Sequence, residues 1–416
     1  MKINNEIKKQ AVDYSMESIK HICETIGPRE SGMPAELKCQ EWIKKELEEN
    51  KWVDSAEIEP FKMARYGLLS FGPVIGTLMM LAAIFQVITY FLPSSALVLA
   101  ANIITISFSI LSLVIGVLQF LFYKQFLDVF LPKLESHNLY GKIQPEGEMK
   151  RRVVIGGHCD SAYEFTIMKI HQNVMVATIA INILFVLAGM VISAISLGTL
   201  ASRIPLWSMI VFAVSAILYI SFFLLFDFTT VVPGANDNLT GTFVAVSVAK
   251  CLKDSGIKLK NTQVEILLTG SEEAGLRGAN AWSKKYKPIF DAEGVETVFL
   301  AFDSMRDFDW MTIYYKDMSG IVTNSPRAVK LLDKAGERLG IKLPHGVVPA
   351  GASDAAAVSK NGLHAACVAA QNPHGAPYYH NTRDTADNMD PKTFALGLDI
   401  ALSAIEVFDE EGLPEV

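Results

Sequence analysis

The sequence predicts an α/β protein, a mixed and largely parallel sheet with helices on both faces, interrupted by two inserted transmembrane helical hairpins. Three observations predict it. Apolar strand-like runs alternate with amphipathic helical segments, the pattern of a sheet covered on both sides. Two blocks, residues 66–123 and 170–226, carry almost no charge. At roughly 20 residues per membrane helix, each block has room for two spans and a turn. Composition leans the same way: the chain is 50% hydrophobic and 19% charged, with a mean hydropathy of +0.29, against about 25% charged in ordinary soluble domains.

In chain order, residues 1–50 read as helical, first around SIKHICETI and then through PAELKCQEWIKKELEEN, whose apolar positions recur at helical spacing. The start is polar, with no apolar stretch of the kind a cleavable signal peptide needs, so none is expected. Residues 66–123 contain no Lys, Arg, Asp or Glu, and LPSS at 92–95 breaks them near the middle. MKRRVVIGGH then reads as a strand entering a loop. Residues 170–226 repeat the uncharged pattern, with Arg203 and Pro205 as the only strong interruption. Spans are expected near 68–92, 96–122, 173–198 and 205–227. Buried helices of a soluble core are the alternative, but such helices usually keep a polar face. Beyond the second block, GTFVAVSVAKCLKD reads as a helix, TQVEILLTG and ETVFLAFDSM as strands, SPRAVKLLDKAGERLG as an amphipathic helix and LHAACVAAQ as a short apolar strand.

Charge and cysteines exclude some functions. A net charge of −7 and the lack of any basic tract speak against nucleic acid as a partner. The five cysteines, Cys23, Cys39, Cys159, Cys251 and Cys367, show no CxxC spacing and read as free thiols in a reducing compartment. The hairpin tips hold no basic residue in 93–95 and only Arg203 in the other, whereas the flanks hold Lys62, Arg65, Lys124, Lys133, Arg151, Arg152 and Lys169. The positive-inside rule therefore turns the tips outward and leaves the rest in the cytoplasm, at the cell membrane, with about four spans. The spans lack interior Asp, Glu and Lys, so they carry no mark of an ion pathway or a transporter. Nothing in the sequence reports an oligomeric state.

The chemistry-bearing residues stand where an open α/β sheet builds its sites, at strand ends. His158 and Asp160 follow VVIGG. Asp237 lies in PGANDNLTG, just before a helix. Glu272 and Glu273 follow EILLTGS, Asp303 follows VFLAF, and His380 closes PYYH. Singly, each is unremarkable: an HxD in a polar loop, an N-cap and turn in GANDN, acids at a helix start. Five separate carboxylate or histidine positions, each ending an apolar strand or opening a helix, form a joint pattern that the bland explanations do not cover.

Taken in order, H-x-D, GAxDN-x-(S/T)G, EE-x-G, D and YH resemble the co-catalytic di-zinc aminopeptidases, the metallopeptidase family that includes secreted bacterial leucyl aminopeptidases and glutamate carboxypeptidase. The openings IGPRESGMPAELKCQEWIKKELEEN and SHNLYGKIQPEGEMKRRVVIGGHCDS match as well, so the resemblance covers essentially everything outside the two apolar blocks. It implies a zinc-exopeptidase fold, with a peptidase domain in three pieces (1–65, 124–169 and 229–416) interrupted by hairpins at 66–123 and 170–228. It implies two zinc ions, with Asp237 bridging them, His158 and Asp303 completing one shell, and Glu273 and His380 the other. Glu272 would be the general base, Asp160 would bond the far nitrogen of His158, and Tyr379 would donate to the developing oxyanion. Imidazole and carboxylate ligands suit zinc on chemical grounds too.

Three details depart from the family pattern. Cys159 stands where an aromatic is common, GASDAAAV (351–358) replaces SDH-x-x-F, and His374 in NPHGAPYYH is a rival to His380. The expected activity is removal of N-terminal residues from peptides. A carboxypeptidase or dipeptidase on the same scaffold and a non-catalytic receptor-like relative are the alternatives. Because the second hairpin interrupts the chain between His158 and Asp237, the rim of the site is expected close to the bilayer, with membrane-derived peptides as one substrate class and simple tethering as the other possibility.

Overall fold

The computed structural model describes residues 3–92, 94–199 and 206–416; Pro93, Arg203 and Pro205, assigned to the hairpin turns, lie outside the described residues. The chain forms two compact units. One comprises Met1–Arg65, Phe130–Tyr163 and Thr230–Val416, the other Tyr66–Val129 and Glu164–Thr229.

Among the described residues the strands are β1 (Ser55–Ala64), β2 (Lys133–Ile143), β3 (Arg151–His158), β4 (Tyr163–Glu164), β5 (Asp227–Val231), β6 (Thr262–Thr269), β7 (Glu296–Met305), β8 (Met311–Asp317), β9 (Val322–Thr323), β10 (His345–Val347) and β11 (His364–Ala370). The helices of the first unit are α1 (Asn5–Thr25), α2 (Pro34–Glu49), α7 (Gly241–Asp254), α8 (Arg277–Glu293), α9 (Pro326–Arg338), α10 (Asp354–Lys360) and α11 (Pro391–Glu411); α3 to α6 belong to the second unit. β4 pairs with β5, and the other strands form one sheet in the order β1-β2-β6-β3-β7-β11-β8-β10, with β9 on β8. Its centre, β6-β3-β7-β11, is parallel. β2 runs antiparallel to β6, β1 to β2, and β8 to β11. The four strands expected from sequence are the parallel centre, and the sheet extends past them on both sides.

Burial explains why the central strands read as unbroken apolar runs. Every residue of β6 is buried, as a strand covered on both faces requires. Val153, Ile155, Val264, Ile266, Leu268, Val298, Leu300 and Phe302 share one core with α1, α2, α7, α9 and α11. The alternate face carries Val154, Leu267 and Phe299, and the ring of Phe299 lies 5.9 Å from Trp282 of α8. Local signals set the helix ends. The side chain of Asn4 accepts from the amide of Glu6 to cap α1, and Asp390 accepts from Lys392 and Thr393 at the start of α11, with Pro391 following it.

The second unit contains α3 (Phe71–Thr89), α4 (Ser95–Ile115), α5 (Gln172–Gly198) and α6 (Leu206–Leu218). With their short helical extensions, Leu68–Thr89, Ser95–Leu121, Gln172–Gly198 and Leu206–Leu224 are four helices long and apolar enough to cross a membrane. Large aliphatic side chains such as Ile103, Leu184, Ile195 and Ile217 face outward. Polar groups turn inward: Gln86 donates to Asn102 and Ser193 at 2.9 and 2.7 Å, and Asn102 donates to Ser196 at 3.0 Å. This is the inverse of a soluble bundle, and it is how helices surrounded by hydrocarbon associate.

Candidate metal centre

Parallel strands that end side by side bring distant residues together. His158 closes β3, in register with Thr269 at the end of β6, and Thr269 leads directly through Gly270 and Ser271 to Glu272 and Glu273. On the other flank, Gly156 of β3 pairs with Ala301 of β7, which carries Asp303 near its end. Asp237 comes from the loop before α7. The start of that helix packs so close to β3 that a Cβ on Gly157 would lie 2.6 Å from the backbone of Gly241 and Thr242. The hydroxyl of Thr242 donates to the carbonyl of His158 at 2.7 Å. His380 arrives on a turn after β11.

The two imidazoles meet on one carboxylate. His158 Nε2 is 3.2 Å from Asp237 Oδ1, and His380 Nε2 is 3.1 Å from Asp237 Oδ2. His380 Nε2 is also 3.3 Å from Glu273 Oε1, and His158 Nε2 is 3.9 Å from Glu272 Oε2. Three sets of side chains bring one ligand atom each within 4.8 Å of one another: His158, Asp237 and Asp303; Asp237, Glu273 and His380; His158, Glu272 and Glu273. The first two sets share Asp237. His374 is absent from every such set among the described residues. It is exposed, with its ring 5.2 Å from that of Trp310.

Electrostatics tests whether these residues suit cations. Burial pushes the carboxyl of Asp303 up to about 8, helped by the charge of Asp237. Burial also raises Glu273, and it raises Glu272 well above the ordinary value. Burial works against charge on the imidazoles too, yet the charge of Glu273 and contacts with Asp237 raise His380 to about 10. Glu272, Asp160 and Asp237 likewise raise His158 well above its usual range. Asp237, opposed by burial, is still held low by both imidazoles. By itself, then, the cluster forces its imidazoles to serve as the cations for an excess of carboxylates. Divalent ions between the same atoms would supply that charge and leave the imidazoles neutral as ligands. The residues fit zinc, which takes exactly such nitrogen and oxygen donors in closely spaced sets.

The remaining candidates surround this cluster. Asp160 Oδ1 lies 3.3 Å from His158 Nδ1, outside hydrogen-bond alignment. Its stronger ties are elsewhere: it accepts from the amides of Glu272 and Glu273, each at 3.0 Å, and from the hydroxyl of Ser31 at 2.7 Å. The ring of Tyr379 stacks on that of His380, 3.9 Å apart. Burial, with Asp237 and the other acids nearby, raises its phenol well above the usual value, so it remains a donor. Cys159 is buried and free.

A supporting layer escaped the sequence reading. Asp384 accepts from the amides of Asn236 and Asp237 at 2.8 and 3.0 Å. Glu36 accepts from the amides of Gly32 and Ser271 at 2.9 and 2.6 Å. Asn238 donates to the carbonyl of Phe302 at 3.0 Å. Asp354 is buried beside the cluster, with a carboxyl raised to about 6 by burial, and accepts from Thr269. Asn238, Asp354 and Glu36 lie inside the quoted segments GANDN, GASDAAAV and IGPRESGMPAELK, but nothing in those segments points to these contacts.

Residues 225–405 match the model of Peptidase family M28. Among solved structures, the chain is similar to an aminopeptidase from Aneurinibacillus sp. strain AM-1, with 15% identity and TM-score 0.55 over 96% of this chain and 95% of that one. It is similar to a zinc aminopeptidase from Bacillus subtilis, with 14% identity, TM-score 0.55 and coverage of 95% and 94%. A glutaminyl cyclase from Fimbriiglobus ruber is similar at 14% identity, TM-score 0.54 and 95% coverage of each chain. No curated protein matches the sequence.

Proposed function

We propose that this chain, whose residues 225–405 match the model of Peptidase family M28, is a zinc metallopeptidase of that type, a membrane-embedded aminopeptidase that uses two zinc ions. The observation that carries this is the carboxylate of Asp237, which offers one oxygen toward His158 and the other toward His380. His158, Asp303 and Asp237 would hold one ion, and Glu273, His380 and Asp237 the other. Bound there, zinc would supply Lewis acidity, lowering the pKa of bound water to about 7 and polarising the scissile carbonyl.

The protein's own groups do the rest. Glu272, next to a ligand but directed toward His158 rather than His380, takes the proton of the attacking water and returns it to the leaving amine. Its raised pKa suits a group that must hold a proton between those steps. Tyr379 stays protonated and donates to the oxyanion. Asp160 fixes the Glu272–Glu273 backbone through two amides. A substrate α-ammonium is favoured over an α-carboxylate, because Asp160, Asp237, Glu272, Glu273, Asp303 and Asp354 outnumber the charge of two divalent ions.

The four apolar helices support an integral membrane location. Charge bias at their flanks supports tips outward and a cytoplasmic peptidase domain. Peptides with free N-termini are the proposed substrates. A glutaminyl cyclase reading has the cyclase neighbours in its favour; it differs in releasing ammonia rather than an amino acid.

The test is zinc analysis of the purified full chain together with hydrolysis of aminoacyl-anilides, N-acetylated anilides and N-terminal glutaminyl peptides. Hydrolysis that requires a free α-amine supports the aminopeptidase. Ammonia release from glutaminyl peptides would support the cyclase, and stoichiometric zinc without turnover would support a receptor-like relative.

A further inference from the structure

The loops that carry His158 and Asp237 are separated by more than seventy residues of chain, and one side chain reaches both. Arg29 is fully buried. Its Nε donates to the carbonyl of Cys159 at 2.7 Å, directly after His158. Its Nη1 donates to Pro233 at 2.8 Å and to Gly27 at 3.2 Å, and its Nη2 donates to Gly234 at 2.8 Å, three residues before Asp237. Among the described residues no carboxylate lies within ion-pair distance of it. A buried guanidinium that spends its donors on backbone carbonyls does so for geometry, because a carboxylate partner would satisfy its charge better.

The surrounding backbone is shaped for this contact. Gly234 has φ +63°, and a Cβ there would lie 2.9 Å from Arg29 Nη2 and 2.5 Å from Ser161 Oγ. The amide of Ser161 donates to the carbonyl of Arg29 at 2.8 Å, and Glu30 bridges to Ser161 in parallel. Two residues on, Ser31 donates to Asp160.

Resting on the ligand set proposed above, we infer that Arg29 is a positioning residue: its planar fork fixes the distance between the His158 and Asp237 loops and so the geometry of the cation site that those two residues share. Lysine cannot reproduce this, because one ammonium cannot span a planar array of carbonyls from two loops.

The experiment compares Arg29→Gln, Arg29→Lys and Gly234→Ala with wild type and with Ser247→Ala. Ser247 is a control because its hydroxyl is buried in the same unit, 2.7 Å from that of Ser15 and away from the metal ligands. Zinc affinity is measured by chelator competition on the full chain in detergent, the visible spectrum after cobalt substitution, and melting of the metal-free protein. Arg29→Gln should weaken binding of at least one ion by about 10–100-fold, as loss of groups behind a ligand does, and should shift the cobalt bands. Arg29→Lys should resemble it. Ser247→Ala should melt lower yet bind zinc as wild type does.

Wild-type zinc affinity and cobalt bands in Arg29→Gln would overturn the inference, as would an equal loss of affinity in Ser247→Ala. If Arg29→Gln does not fold, Arg29→Lys and Gly234→Ala decide by the same measure, and unchanged affinity in both overturns it. A wild-type protein that binds no zinc would instead remove the reading on which the inference rests.

Discussion

The first unit and the four long helices of the second both bury polar side chains, but of different kinds. The first buries ionisable groups: Arg29, Glu36, Asp160, Asp237, Glu272, Asp354 and Asp384 are all nearly inaccessible. The four long helices of the second bury only neutral groups, among them Gln86, Asn102, Thr105, Asn182, Ser193 and Ser208. The physical difference is the available compensation. A buried carboxylate is tolerated where backbone amides, imidazoles or cations reach it. A helix in hydrocarbon has no such surroundings, so it satisfies amides and hydroxyls against one another across helix faces. Outer surfaces are inverted to match: the second unit exposes Ile103, Leu184 and Ile217, whereas α9 of the first exposes charge, including Lys330.

Substitutions test this contrast directly. The largest effect is expected at Glu272, the proposed general base. Glu272→Gln should lower kcat by about 10² or more, while zinc content stays at the wild-type level; loss of zinc in parallel would make Glu272 a ligand instead of a base. Next comes a charge placed where the comparison forbids one. Asn102→Asp inside α4 should cost about 2.5–3.5 kcal/mol, the insertion penalty for such a group at a membrane helix centre. It should be read as reduced thermal stability in detergent, with zinc content unchanged, and a neutral outcome would weaken the membrane assignment.

Glu36 makes the stability of the first unit depend on pH. Burial first, and then the charge of Asp160, raises its carboxyl from the ordinary 4.5 to about 8. Between those values the folded chain holds a proton that the unfolded chain has released. Stability from this group is therefore complete below pH 4.5 and declines as pH rises toward 8. Glu36→Gln lacks that titration, so the melting temperature of wild type relative to the variant should fall across this window. A difference independent of pH would show that Glu36 is already ionised throughout. The smallest effect is expected from Gln86→Leu, which removes neutral hydrogen bonds between helices at a cost of roughly 0.6 kcal/mol and leaves zinc content as it is.

Much of this architecture was legible in the sequence because strong local signals report it. Uncharged runs marked the four long helices, and the apolar strand before each of His158, Glu272 and Asp303 marked the central sheet. GTFVAVSVAKCLKD matches α7 residue for residue. Other parts lacked such signals. β1 carries Glu57, Glu59, Pro60 and Lys62, and its burial pattern is mostly exposed or intermediate, as befits an edge strand; it does not look like a core strand in sequence. α8 holds Pro288 in its interior, which argues against a helix on local grounds. The supporting layer was hidden for a different reason. Arg29 and Glu36 act on backbone carbonyls and amides, which every residue possesses, so no spacing of side-chain types announces them. Asp160 shows the limit from the other side: HxD drew attention to the His158 imidazole, whereas its aligned hydrogen bonds go to the amides of Glu272 and Glu273 and to Ser31.

The contrast between the units reduces to one carboxylate that faces two imidazoles, and zinc stoichiometry of the purified full chain tests it most directly. Two zinc ions per wild-type chain are expected, with weakened binding of both in Asp237→Asn, since that residue is shared. Two ions retained at wild-type affinity in Asp237→Asn would show that Asp237 bridges nothing.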